Sequence, residues 1–258
     1  MVPARPLVTV VIRSLNEGPE LQKLFEILKR QTVPLDQQQW LLVDNQSTIS
    51  PAPLAERFGT DIILLPRKEF SYPRSLNLGW QHARGKFVAF LCAHSFPMDN
   101  HWLENGLKAI QSSDDIAGVY GPNLAYKDSP LLEKIFYFPG ALLYRLRWLI
   151  PDFAPKLGMG IMGMTNAMVR RSFLEEDPFD ESYGNGGEDY HWTKIQLEKH
   201  RRVLHVSSFA VRHAHYLSSW RELQLQKEHW EKLVKGWRTE FSLEAIEEFR
   251  PGAEKFRS

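Results

Sequence analysis

Two groups of residues in this 258-residue chain have types and spacings that could do chemistry. The first is Glu188 and Asp189, adjacent carboxylates directly behind Gly186 and Gly187. Carboxylates are a common side chain for general acid–base work. Acids in a first helical turn also complement the helix dipole, but that does not account for the two glycines, which mark a close backbone approach. The second group is His94, His213 and His215. His213 and His215 are two apart, so on a strand they face the same way. Imidazole binds divalent ions and suits Zn, Ni or Cu better than Mg²⁺. A structural histidine at a strand end and a solvated strand edge would explain the same residues without an ion. There is no G-x-G-x-x-G and no Walker sequence anywhere in the chain, which argues against a dinucleotide-binding dehydrogenase or a P-loop NTPase.

Positioning such residues requires a scaffold, and the first hundred residues supply one. The apolar runs at 7–12, 40–43, 62–65 and 86–91 read as strands, the first of them continuous and β-branched as in a strand buried on both faces. Leu21, Leu24, Phe25 and Leu28 recur at helical spacing, predicting a helix over 18–30. Another helix is expected over 72–83, with Ser71 as N-cap and Gly85 beyond its end. Strand and helix alternating at this rhythm imply a parallel sheet with right-handed crossovers. Ligands then bind at the carboxyl ends of the strands, where Arg13 to Glu17, Asp44 to Ser47 and Cys92 to Ser95 fall together on one edge. Further on, helices near 101–112, 187–199 and 218–237 and strands near 116–121, 167–170, 203–206 and 209–213 are expected. The stretch 128–160 is aromatic, punctuated by proline, and has no clear period. There is no internal repeat.

Composition narrows the classes. Lys and Arg number 32 against 31 Asp and Glu, a net charge of +1, so no global basic surface for nucleic acid exists and any anion must be held locally. A 43% hydrophobic and 24% charged composition is that of a globular chain. One cysteine excludes an internal disulfide framework. The N-terminus lacks the pattern of a secretory signal, and the most apolar run, 135–144, is about half the length of a membrane span and cut by Pro139 and Gly140. The expected location is cytoplasmic.

The ordered runs VTVVIRSLNE at 8–17, LVDNQST at 42–48, RSLNLG at 74–79 and ARGKFVAFL at 83–91, with GED at 187–189, resemble a family 2 glycosyltransferase of the GT-A fold. The match covers 1–100 closely and 163–215 more loosely, and its pattern at 92–95 is nearest to bacterial rhamnosyltransferase-like members. The resemblance implies an α/β fold, a mostly parallel central sheet flanked by helices with a C-terminal helical extension. It further implies a catalytic domain over 1–215, with a nucleotide-sugar-binding half at 1–100 and an acceptor half at 101–215, followed by a helical tail at 216–258. It implies a nucleoside diphosphate sugar as donor, met by Asn16 and Glu17 and by Asp44 at the base. An Asp after a strand also closes an Asx turn, and that alternative stays open. Arg13, Lys68 and Arg74 are the cations available to the diphosphate, with Ala93 beside it.

One departure from the family pattern is important. Where members place Asp-x-Asp to hold a divalent metal, Mn²⁺ or Mg²⁺, this chain reads Cys92, Ala93, His94. His94, His213 and His215 are the candidate ligands in their place. Asp189 matches the family's base, with Glu188 as neighbour or acceptor contact, and Asn166 and Trp192 are the candidate acceptor contacts. The aromatic segment 136–153 suits an acceptor groove, a packing hairpin, an oligomer contact, or a membrane surface carrying a lipid-linked acceptor. The reading is therefore an inverting glycosyltransferase acting on a glycan or glycolipid hydroxyl. Its rivals are a non-catalytic nucleotide-sugar-binding module and a zinc hydrolase built on the three histidines.

Overall fold

A computed structural model describes residues 5–155, 162–236 and 238. Trp237, most of the expected tail beyond it and part of the 128–160 stretch lie outside the described residues.

Seven strands form the central sheet: β1 (Val8–Ser14), β2 (Gln38–Asp44), β3 (Asp61–Leu64), β4 (Phe87–Cys92), β6 (Ile116–Tyr120), β8 (Asn166–Arg170) and β9 (Arg202–His205), after counting two short strands, β5 (Phe96–Pro97) and β7 (Asn123–Leu124), in chain order. The spatial order is β3-β2-β1-β4-β8-β6-β9. β1 pairs in parallel with β2 and β4, β2 with β3, and β6 with β9. β8 is the exception: it runs antiparallel to both β4 and β6. A smaller sheet has β10 (Val211–Arg212) between β5 and β7. The strand expected over 209–213 is thus only two residues long, because Phe209 turns into the core and its carbonyl is taken by the Asn166 amide.

Alternation along β1 explains the layering. Val8, Val10 and Ile12 face a core shared with α1 (Gly18–Leu28) and α4 (Trp102–Gln111), while Val11 faces a second core with α3 (Tyr72–Gln81) and α8 (Glu188–Glu198). A Cβ on Gly79 would stand 2.3 Å from Val11 Cγ1, so only glycine lets α3 sit this close to β1. Two short helices, α2 (Ala52–Arg57) and α7 (Arg171–Glu176), complete the flanks. The unassigned aromatic stretch forms two helices, α5 (Leu131–Phe136) and α6 (Phe138–Arg145), and α9 (Trp220–Val234) follows the sheet. α9 starts on a complete capping box between Ser219 and Glu222.

Candidate active site

A cleft of about 400 Å³ opens at the carboxyl end of the sheet. Its floor carries Arg13 at the end of β1, and one wall carries Glu188 and Asp189 at the start of α8. His213 and His215 also line it, as do Gln226, His229 and Trp230 of α9. The helix expected near 218–237 therefore contributes to the cleft.

The acid pair owes its placement to glycine. Gly186 and Gly187 have φ of +112° and +97°, and Gly187 caps α8 in the left-handed region. A Cβ on Gly187 would meet Leu233 of α9 at 3.3 Å. Gly187→Ala is expected to cost roughly 1–3 kcal/mol through strain and to lower Tm by about 2–4 °C per kcal/mol, measured by calorimetry. Asp189 Oδ1 accepts from the Tyr190 N–H at 2.7 Å, and the Met164 N–H also bonds this carboxylate. Glu188 is buried and its Oε2 has no hydrogen-bond partner. Burial raises the pKa of both acids, the Asp189 charge pushes Glu188 further, to about 8, and Arg13 opposes both shifts.

The histidines form a compact cluster. One ring nitrogen from each of His94, His213 and His215 lies within 4.8 Å of the others. His94 stacks on His213 with ring centroids 4.7 Å apart, and His213 Nε2 stands 3.2 Å from His215 Nε2. Two nitrogens bound to one ion at about 2.1 Å would be roughly 3.0–3.4 Å apart, a separation that the His213–His215 pair has, while the set of three spreads to 4.8 Å. Outer contacts orient the rings: Glu17 Oε1 bonds His94 Nδ1, and Ser95 Oγ stands 3.0 Å from His213 Nδ1. The buried Glu133 on α5 fixes the third histidine's loop, accepting from the His215 and Leu217 N–H groups at 2.8 and 3.2 Å.

The other expected site residues divide. Asn16, at φ +58°, joins the first two loops: its N–H donates to Ser47 Oγ and its Oδ1 accepts from the Thr48 N–H. Asp44 closes the turn at the end of β2, accepting from the Ser47 hydroxyl at 2.6 Å and its N–H at 3.1 Å. Ala93 is buried, and its N–H donates to the Arg13 carbonyl. Lys68 sits on the short turn 67–69, which Gln46 holds by accepting from the Arg67 N–H.

Four placements correct the expectation. Asn166 is not at the cleft: it is buried, accepting from Trp102 Nε1 at 3.0 Å and donating to the Phe209 carbonyl at 2.7 Å. Trp192 is likewise core, packed beside Phe179 with its Nε1 donating to the Asp177 carbonyl. Arg74 faces away, paired with Glu69 at 2.9 Å and Glu181 at 3.6 Å. Glu17 is occupied by His94 and the Leu15 N–H, which makes it a support for the histidine cluster.

The structure adds residues that no motif signalled. His205 and Asn123 line the cleft, each with one buried polar atom, Nδ1 and Oδ1, lacking a partner. Burial lowers the His205 pKa to about 4, so the ring is neutral, and Phe153 stacks on it at 4.8 Å. Tyr120, Tyr137 and Trp230 give the same end an aromatic wall.

Comparison with known proteins agrees with this architecture. Residues 9–177 match the model of glycosyl transferase family 2. The glycosyltransferase AglE of Haloferax volcanii is 27% identical over 207 residues, covering 75% of this chain; the chain spans 62% of that relative's length. Among solved structures, the mannosyltransferase PcManGT of Pyrobaculum calidifontis, in complex with GDP-Man and Mn²⁺, superposes with a TM-score of 0.64 at 19% identity, over 96% of this chain and 68% of its own. Glucosyl-3-phosphoglycerate synthase of Mycobacterium tuberculosis gives 0.57 at 13% identity, over 90% of this chain and 79% of its own. At these identities the likeness is one of fold, and the fold is GT-A.

Proposed function

The chain belongs to glycosyl transferase family 2, and from that premise we propose that it is an inverting enzyme moving a sugar from a nucleoside diphosphate to a hydroxyl of a glycan or lipid-linked glycan. The observation that carries the reading is one cleft lined by Glu188, Asp189, Arg13 and two members of the histidine cluster, His213 and His215. PcManGT and GalNAc-T7 were solved with Mn²⁺, and the three-histidine set takes the place of the acids expected after β4. His94, His213 and His215 would hold a divalent cation, which when bound supplies positive charge to a departing diphosphate.

The protein's own groups account for the remainder. In the transfer, the bond from the anomeric carbon to the acceptor oxygen forms as its bond to the diphosphate oxygen breaks, and the diphosphate leaves with the electron pair. Asp189 takes the acceptor hydroxyl proton; its two backbone donors aim the carboxylate while leaving lone pairs for that proton. Arg13 offers a forked cation to the leaving group. Tyr120, Tyr137 and Trp230 offer flat faces to the acceptor sugar, and His205 and Asn123 offer polar atoms for its hydroxyls. The loops carrying Asn16, Asp44 and Lys68 make the donor side.

A thermal-shift panel of UDP-, dTDP- and GDP-sugars, with and without Mn²⁺, tests the donor, because a ligand of the folded state raises Tm by mass action. Stabilisation by one of these, followed by transfer, supports the reading. Stabilisation without transfer or hydrolysis would identify a non-catalytic binding module instead.

The acid pair also sets a pH dependence. A base must be ionised, and burial has raised the Asp189 carboxyl, so the acidic limb of kcat/KM should lie above the ordinary carboxylate range. Glu188, raised further by the Asp189 charge, is still protonated where Asp189 ionises, so Glu188→Gln should leave that limb in place. The stability sign follows from the same shift. A carboxyl raised from 4.5 to about 8 on folding holds its proton longer in the native state, so its contribution is lost as pH rises through that window. Glu188→Gln should therefore raise Tm above pH 8 and leave it unchanged near pH 4.

A further inference from the structure

The helical pair that had no periodic signal carries an apolar face on its outside. Leu131 and Ile135 of α5 are four residues apart, as are Phe138 and Leu142 of α6, so each pair shares one helix face. All four are exposed, as are Trp148 and Leu149 in the turn that follows, at 71% and 75%. Single exposed apolar residues are ordinary; six in one run of two helices and a turn are not. Within 129–151 the charged residues are Glu133, Lys134, Arg145 and Arg147; Glu133 is fully buried, so the charges this run shows to solvent are positive, with the exposed acids Asp128 and Asp152 just outside it. Arg147 stacks over the Trp148 ring at 3.6 Å and over Tyr144 at 4.0 Å, the pairing of cation and aromatic ring that suits a headgroup layer.

We infer that this face docks on an anionic lipid bilayer. An apolar surface of six residues rimmed by cations fits the boundary of acyl chains and negative headgroups. A second copy of the chain fits it poorly, since a self-complementary contact would bring Lys134, Arg145 and Arg147 against their own kind. None of the helices among the described residues is long and apolar enough to cross a membrane, so contact through this face is peripheral. The face is also tied to the cleft. Gly140 and Leu143 of α6, and Tyr137 at its N-cap, line the cleft, and α5 holds the His215 loop through Glu133. Docking would set the mouth of the cleft beside the headgroups, where an acceptor carried on a lipid presents its sugar. This last step rests on the glycosyltransferase reading; the docking itself does not.

The test is co-sedimentation of the full chain with phosphatidylglycerol-containing vesicles and with pure phosphatidylcholine vesicles, at low and high salt. The wild type should bind the anionic vesicles, more weakly at high salt and far more weakly to phosphatidylcholine. Trp148→Ser with Leu149→Ser should lower the bound fraction at least about tenfold, and Lys134→Glu with Arg145→Glu should remove the salt-sensitive part. Thermal stabilisation by nucleoside diphosphate should be unchanged in both variants, which shows them folded and separates this result from any failure of the transfer reaction. Absence of binding to anionic vesicles, equal binding to both vesicle types, or equal binding by wild type and the Trp148/Leu149 variant overturns the inference. So does a wild-type dimer in solution that this variant dissociates, which would make the face a contact between copies.

Discussion

Asp189→Asn should lower kcat by about 10³-fold, the middle of the range a positioned base contributes, equivalent to about 4 kcal/mol. Asn keeps the shape of the side chain and can still accept from the Tyr190 N–H through Oδ1. It cannot take a proton. Donor binding should therefore be unchanged by calorimetric titration, and KM for the acceptor should move little. Full turnover by this variant would remove Asp189 from the base role. The Glu188→Gln variant is the control: it should retain most of the turnover, because Glu188 does not itself accept the proton.

The second large effect is expected at the histidines. His213→Ala should weaken divalent-metal binding by at least about 100-fold, since outer-shell changes alone cost 10- to 100-fold and His213 would be a direct ligand placed 3.2 Å from its neighbour's nitrogen. Cobalt titration followed by visible absorption reads this without turnover. Glu17→Gln should give a smaller loss, because it removes only the partner of His94 Nδ1. Chelation should then raise the Kd for nucleoside diphosphate in the wild type and have no effect in His213→Ala. Identical diphosphate affinity with and without chelator would mean that the cluster serves no metal.

How far these sites could be read in advance depended on the kind of signal each residue left. β1, β2 and β4 are continuous apolar runs, and a strand buried on both faces has no other way to be written. The histidines were visible because two of them share a strand parity, yet their supports were not. Glu17 looks like a loop acid and Glu133 like one charge on a short helix; their partners are distant in sequence. Asn166 and Trp192 misled for a related reason. An Asn and a Trp near the sheet edge have the types expected of a sugar contact, but each satisfies its polar atom within the core, the Asn with Trp102 and Phe209, the Trp with Asp177. α8 buries Glu188, Trp192, Thr193 and Gln196, a mixture in which apolar period says little about which side is inside. α5 and α6 hid for the opposite reason, since much of their apolar surface faces outward.

The antiparallel β8 has a consequence for how the molecule is assembled. It lies between β4 and β6, pairing Leu91 with Asn166 on one side and Tyr120 with Ala167 on the other. Within the central sheet β4 and β6 therefore meet only through a segment synthesised long after β4. Loop closure across that separation must precede the pairing that rewards it. Until β8 arrives, β4 is an open edge with an apolar strand exposed to any passing chain. The halves of this molecule are thus not modules that could be exchanged or grown separately; the strand that joins them is also the one that closes a site for aggregation during folding.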